Sequence, residues 1–254
     1  MSLRQKLLLG FALVAFLTAA MGLSGVFALR RTSQNVDELG LNRLPSLRSL
    51  LIVSRAQNVV DSAENALLSK AISAQERAGA YARFDQARKA AEDALKIYDP
   101  LPQSAEEAVV WARFKPAWAQ WWDDHERYVE LVKVYERTHD EADYERMSSQ
   151  ALTVNGVSFG KAEVELNELV RINDTLASAA TTEALELGAT ARVVMLLALA
   201  LAVLLAVIVG LSLSTSITRA LNAVIDSLNA GAAQVATASG QVSSSSQQLA
   251  NTST

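Results

Sequence analysis

The chain has 254 residues, half of them apolar, with no cysteine, four prolines and a formal net charge of -4. The absence of cysteine excludes a disulfide framework, thiolate zinc sites and cysteine nucleophiles, and no basic stripe points to nucleic acid as a partner. Few aromatic residues and few prolines suit a mostly helical protein rather than a strand-rich one.

In chain order, a short tail (residues 1–6) precedes Leu7–Leu29, which carries no charge; Val193–Leu213 is the second uncharged stretch. A bilayer core about 30 Å thick needs roughly 20 helical residues, so residues 7–29 and 193–213 are each predicted to span once. A secretory signal peptide is the competing reading of the first stretch, because Arg4 and Lys6 precede it. Its apolar length exceeds the usual ~7–15 residues and no convincing cleavage site precedes Arg30, which favours an anchor. Charge does not orient the spans: Arg4, Lys6 and Arg219 flank them on the terminal side, and Arg30, Arg31 and Arg192 on the loop side,. Two spans nonetheless put both termini on one side and residues 30–192 together on the other.

That middle region, 30–192, holds all but three of the 23 Lys+Arg and all but one of the 27 Asp+Glu, an ordinary water-facing composition. Asp99-Pro100-Leu101-Pro102 breaks it, since prolines remove backbone donors and disfavour helix before them,. Ser104 and Glu107 then form an S-x-x-E capping box that starts the next helix. A second break is expected around Thr138–Tyr144, where the apolar period lapses, and a softer one near Ser69–Ser73. Four helices follow, roughly 30–69, 74–98, 105–138 and 147–192, packed as an antiparallel bundle. Pro45, inside the first, predicts a kink or local break. The third should be roughly 50 Å long.

The third helix displays its core most clearly. Trp111, Phe114, Trp118, Trp121, His125, Tyr128, Val132 and Tyr135 recur at alternating steps of three and four, one bulky helical stripe,. The first helix offers a small stripe, Ile52, Ala56, Val59, Ala63 and Ala66, and large against small is how facing helices reach native density. Core packing is favoured over a tryptophan-lined ligand cage. His125 on this stripe reads as a buried, hydrogen-bonded histidine, because no metal ligands cluster near it. No metal and no cofactor is expected.

Another face of the first helix mixes Arg48, Arg55, Asn58 and Ser62 with Leu44 and Leu51. Guanidinium groups recognise carboxylates through paired donors, so such a face can hold an anionic ligand; salt bridges to Glu165 or Glu168 on the fourth helix are the plainer alternative. Arg48, Arg55 and Asn58, with Arg171 from the fourth helix, are the candidate ligand-binding residues. There is no P-loop, dinucleotide turn, serine elbow or metal-binding helix, so no catalytic residues are expected. Carboxylates fall instead at pairing distances such as Asp85–Lys89 and Glu92–Lys96.

After the second span, Leu221, Leu228, Val235, Val242 and Leu249 recur every seventh residue, with Ile225, Ala232, Ser239 and Ser246 in the intervening positions. Four heptads of this kind describe a coiled-coil seam, made adjustable by its small second position and by Gly231 and Gly240. A disordered Ser-rich tail is the alternative.

The order of tail, span, bundle, span and helical exit resembles that of the methyl-accepting chemotaxis proteins with a four-helix-bundle sensor. NRLPSLRSLL at Asn42–Leu51 is similar to the start of their first sensor helix, and DPLPQSAEEAVVWARFKPAWAQWWDDH at Asp99–His125 to the second hairpin of one subgroup. SITRALNAVIDSLNAGAAQVATASGQVSSSSQQLA at Ser216–Ala250 resembles the membrane exit, with Ala220 where an I-T-R-P-L run has proline. The resemblance implies an all-α chain: cytoplasmic tail 1–6, transmembrane helix 7–29, periplasmic four-helix bundle 30–192, transmembrane helix 193–213, and a cytoplasmic coiled-coil start over 214–254. It also implies a homodimer in the bacterial inner membrane, in contact with membrane lipid. The stimulus would be a small-molecule ligand, anionic if the arginines hold it, or a periplasmic binding protein. The usual HAMP relay has no room after Ile217, so the expectation is a receptor without HAMP. The hairpin tip that binds the chemotaxis kinase and the coupling protein is not found in these residues, so the sensory half alone is expected here. Bundle sensors also occur on histidine kinases and cyclases, whose sensory half is the second reading; a plain membrane tether is the third.

Overall fold

The computed structural model describes residues 3–252, which are helical apart from short connections; there is no strand among the described residues. Six α-helices and two π-helical turns follow in order: α1 Leu3–Asp37, a π turn Glu38–Arg43, α2 Leu44–Leu67, α3 Ala74–Tyr98, α4 Ala105–Thr138, α5 Glu141–Ser149, a second π turn Gln150–Asn155, and α6 Gly156–Thr252. They form two compact units. One is Leu29–Gly188; the other takes the chain up to Ala28 and from Ala189 onward. Helices α1 and α6 contribute residues to both.

The unit Leu29–Gly188 is a four-helix bundle of α2, α3, α4 and the run α5–π–α6. Local chemistry explains its ends. Ser104 starts α4 with the expected capping box: its hydroxyl accepts from the Glu107 N–H, and the Glu107 carboxylate accepts from the Ser104 N–H,. Ser73 and Glu76 make the same box at α3, which the softer sequence signal there did not reveal. Helix α4 stops at His139, a left-handed residue at φ 54° whose N–H donates to Tyr135 O at 2.8 Å,.

The local break expected at Pro45 takes the form of the π turn Glu38–Arg43, in which the Leu44 N–H reaches back five residues to Leu39 O, and Pro45 follows in the first turn of α2,. Two expectations about the last bundle helix need correction. The last bundle helix begins at Glu141 rather than 147, because Asp140 caps it by accepting from the Ala142 N–H at 2.8 Å,. The break around Thr138–Tyr144 thus narrows to His139 and Asp140. Finally, the π turn Gln150–Asn155 interrupts this last helix with no proline to announce it.

The bulky stripe is buried. Phe114, Trp121, Tyr128 and Val132 are essentially inaccessible, Trp111, Trp118 and His125 nearly so, and Tyr135 lies partly buried against them. Phe84, Ala87, Ala91 and Ala94 of α3 and Ala162, Leu166, Leu169 and Ile172 of α6 complete the core. On α2 the buried line is Leu50, Val53, Ala56, Val60, Ala63 and Leu67. Ala56 and Ala63 therefore pack inside as expected, whereas Ile52, Val59 and Ala66 sit at its edge, half-buried.

In the other unit two stretches, one near the N-terminus and one in α6, are long and apolar enough to cross a membrane, and none of either is buried in the protein. Phe11, Phe16 and Phe27 and then Leu197, Val203 and Leu204 present bare apolar surface, far more than a water-facing helix carries. The two stretches approach closely at glycines. A Cβ on Gly10 would stand 2.9 Å from Val209 Cγ1, and one on Gly25 would stand 3.0 Å from Met195 Cε, the close backbone approach that small residues permit between apolar helices. The heptad positions Leu221, Leu228, Val235 and Val242 are helical and exposed. The side chains of Arg4, Lys6 and Leu249 lie outside the described residues.

Candidate functional site

The four candidate residues occupy the surface of the bundle. Arg48, Arg55 and Asn58 are exposed on α2, in one face with the equally exposed Leu41, Leu44, Leu51 and Ser62. Asn58 Nδ2 donates to its own helix at Ser54 O, 2.8 Å. Glu165 and Glu168, the acids named as alternatives, are engaged elsewhere, by Arg113 at 3.0 Å and by Arg171 at 2.7 Å respectively. Arg171 lies on α6 with its guanidinium shared between Glu168 and Glu106, so the structure does not gather it with Arg48 and Arg55 around one point. Arg55 has no carboxylate partner among the described residues. With Arg83 of α3 it lines a cavity of about 250 Å³ walled by Ile52, Ala56, Val59, Ala87 and Ala90. Two unpaired guanidiniums beside an apolar trough suit a small carboxylate with an apolar body.

The bundle interior holds two polar networks, and little in the sequence announces either. The first surrounds Glu107, which is fully buried. Its Oε1 accepts from the Tyr98 hydroxyl at 2.6 Å and from Asn173 Nδ2 at 2.7 Å. Its Oε2 accepts from Arg43 Nη1 at 2.9 Å and more weakly from the Ser104 N–H at 3.3 Å. The Arg43 guanidinium, also buried, donates in addition to Asn173 Oδ1 at 3.0 Å and to Glu38 Oε1 at 2.7 Å. Burial pushes the Glu107 carboxyl up, but the hydrogen bonds from Tyr98, Asn173 and Arg43 outweigh it and hold the group below its ordinary range,. Burial and the adjoining Glu107 carboxylate push the Tyr98 hydroxyl far up, so it stays a donor. The network joins the π turn ahead of α2 to the end of α3, the start of α4 and the bundle part of α6. A displacement of any one of these elements must break the network or carry the others with it.

The second network surrounds Glu64 on α2. His125 Nδ1 donates to Glu64 Oε1 at 2.6 Å, Asn155 Nδ2 donates to the same oxygen at 3.0 Å, and the Tyr128 hydroxyl donates to the Glu64 backbone carbonyl at 2.8 Å. Gln150 Nε2 donates to Asn155 Oδ1 at 3.0 Å and to Asp124 O at 3.3 Å. Both ends of the second π turn are therefore tied to buried polar groups of α2 and α4. One signal for these residues was present in the sequence: Gln57 and Glu64 fall on the buried line of α2, seven residues apart, where apolar residues are the rule. Among the described residues no three His, Asp or Glu side chains gather as metal ligands.

The bundle follows an apolar, membrane-length stretch in α1 and precedes another in α6. The family model for the four helix bundle sensory module for signal transduction matches residues 1–187. The chain belongs to this family, the sensory module of methyl-accepting chemotaxis proteins. No curated protein and no solved structure matches it.

Proposed function

We propose that this chain is the sensory module of a transmembrane chemoreceptor. The bundle stands in the periplasm, residues 7–29 and 193–213 cross the inner membrane, and 214–254 begin a cytoplasmic coiled coil that controls the chemotaxis kinase. The observation that carries this reading is α6 itself: one helix holds Asn173 in the Glu107 network, the second apolar stretch and the exposed heptads. A signal that moves α6 at Asn173 has a single helix along which to travel, and helix shifts of about 1–2 Å suffice in such switches. The kinase and the coupling protein would be engaged through a hairpin tip rather than by these residues. The sensory half of a histidine kinase or cyclase is the second reading; the identity of the output region that the bundle drives separates the two.

The working unit is a homodimer. Leu41, Leu44 and Leu51 are more than half exposed along the face that holds Arg48 and Arg55, and a second copy covers such a face by simple two-fold symmetry. The tail makes the same demand, because a lone helix leaves its heptad leucines and valines in water. Cysteines at 221, 228, 235 and 242 should therefore crosslink between subunits in membranes far better than cysteines at 222, 229, 236 and 243. Uniform crosslinking along the segment would show that it has no seam.

The ligand proposal concerns Arg48, Arg55, Asn58 and Arg171. A small carboxylate held by Arg55, with Arg48 on the same face, is the form the geometry favours; a periplasmic binding protein docking on this face is the indirect form. Calorimetry with a panel of small carboxylates should find a binder, and Arg55→Ala should weaken it by roughly 2–5 kcal/mol where the ion pair is desolvated. Binding that survives removal of both Arg48 and Arg55 would eliminate this face.

A further inference from the structure

A separate cleft of about 420 Å³ lies between α3 and α4, on residues other than those around Arg48 and Arg55. Its apolar walls are mostly aromatic, Tyr81, Phe84, Trp122 and His125, with Val129 beside them. Phe84 and Trp122 both meet the His125 ring edge-on, with centroids 4.5 and 5.2 Å away, and Tyr81 meets Phe84 in the same manner at 6.0 Å. Over the face of Trp122, 4.4 Å from its centroid, sits a planar cation, the Arg88 guanidinium, which Glu126 holds in an ion pair. Arg88 is only partly buried and reaches this place on a flexible stem, so it demonstrates a cation seat without closing it. Asp85 and Glu130 line the same cleft, both exposed, and neither has a cationic partner among the described residues. Three carboxylates against two cations, Arg88 and Lys133, leave the lining with an excess of negative charge.

An aromatic face attracts a cation through its quadrupole, most strongly for tryptophan, and carboxylates at the rim add direct attraction. From these observations we infer that the α3–α4 cleft is a binding site for an organic cation with an apolar body. Its ammonium or guanidinium group lies over Trp122 in place of Arg88, balanced by Glu126, Asp85 and Glu130, and its body lies against Phe84 and Tyr81. Occupancy has a route to the rest of the bundle. The His125 ring that walls the cleft donates to Glu64, which also binds Asn155 at the end of the second π turn. A ligand that shifts His125 therefore bears on the start of α6.

The inference rests on the sensory-module reading for its meaning but not for its test. Calorimetry on the full chain in a neutral maltoside detergent would use benzyltrimethylammonium as the probe, with phenylacetate as an anion of comparable size. The expected result is saturable binding of the cation, one per chain, with no binding of phenylacetate that depends on the cleft. Trp122→Leu should weaken the cation by at least about ten-fold, Trp122→Phe by less. The exposed pair Asp85→Asn with Glu130→Gln, which leaves the core untouched, should weaken it several-fold, while Arg48→Ala and Arg55→Ala should not change it. No saturable binding of the cation, phenylacetate binding that is lost with Trp122→Leu, or cation binding indifferent to both the Trp122 and the carboxylate variants would overturn the site. Failure of the sensory reading has a different signature: the cation binds and the cleft variants weaken it, yet crosslinking through Leu221→Cys is the same with and without the cation.

Discussion

Glu107→Ala is expected to lower the stability of the bundle by about 3–5 kcal/mol, the usual result of removing one partner of a buried ion pair. The substitution leaves the buried Arg43 guanidinium with only the half-exposed Glu38 as an anionic partner and strips acceptors from the Tyr98 hydroxyl and from Asn173 Nδ2. It also removes half of the capping box that starts α4. Urea unfolding of the full chain in neutral detergent, followed by tryptophan fluorescence, measures this directly, since all four tryptophans lie in α4. A loss under about 1 kcal/mol would mean the network contributes little beyond filling space. The same carboxyl sets an acid limit. In the folded state it titrates below its ordinary value of 4.5, so its contribution is fully present above that pH and is lost as pH falls through the lower folded value. Stability of the parent protein should therefore fall more steeply below pH 4.5 than that of Glu107→Gln, which has no carboxyl to protonate at this position. Parallel curves for the two would assign the acid sensitivity to other carboxylates.

Trp118→Ala should lower stability by about 3–5 kcal/mol as well, by a different mechanism, the cavity left where a large buried aromatic is truncated. Trp118 is 8% exposed. It stacks on Phe114 at 5.5 Å, leans on Trp121 at 4.8 Å and meets Trp122 edge-on at 5.9 Å, so its removal opens the middle of an aromatic ladder whose rigid rings fill a gap poorly. Trp118→Phe should recover a large part of the loss. The pH dependence should be unchanged in either variant, which separates a packing defect from damage to the Glu107 network. A near-neutral Trp118→Ala would contradict the core assignment.

Trp118 was legible in the sequence because a stripe of aromatic residues at steps of three and four is satisfied by a helix with that face buried. The same periodicity located α4, and the S-x-x-E pattern at Ser104 located its start, because capping is a contact between residues three apart. The two apolar stretches were equally plain, since length and lack of charge are properties of the chain alone. Glu107, by contrast, read only as a capping residue. Its partners Arg43, Tyr98 and Asn173 come from three other helical elements, and nothing local distinguishes an arginine that will be buried from one that will face water. The candidate arginines show the same limit from the other side. Arg48 and Arg55 lie exposed on the surface of the single chain, while Arg43, little more than one turn before Arg48, is enclosed.

Periodicity, capping and composition within a few tens of residues are thus enough to give most of the helices, the bulky face of α4, the two membrane-length stretches and the heptads of the tail. Which polar residues close the core, where the π turns fall and which clefts remain between helices depend on the packed bundle. The π turn at Gln150–Asn155 depends on Glu64 and Asp124, which lie on other helices and hold Asn155 and Gln150 in place. The cleft over Trp122 exists because α3 and α4 bring Phe84, Arg88, Trp122 and His125 to one place. Hydrogen bonds and ion pairs between residues distant in the chain are set by how helices dock, and docking is a property of whole faces rather than of any one segment.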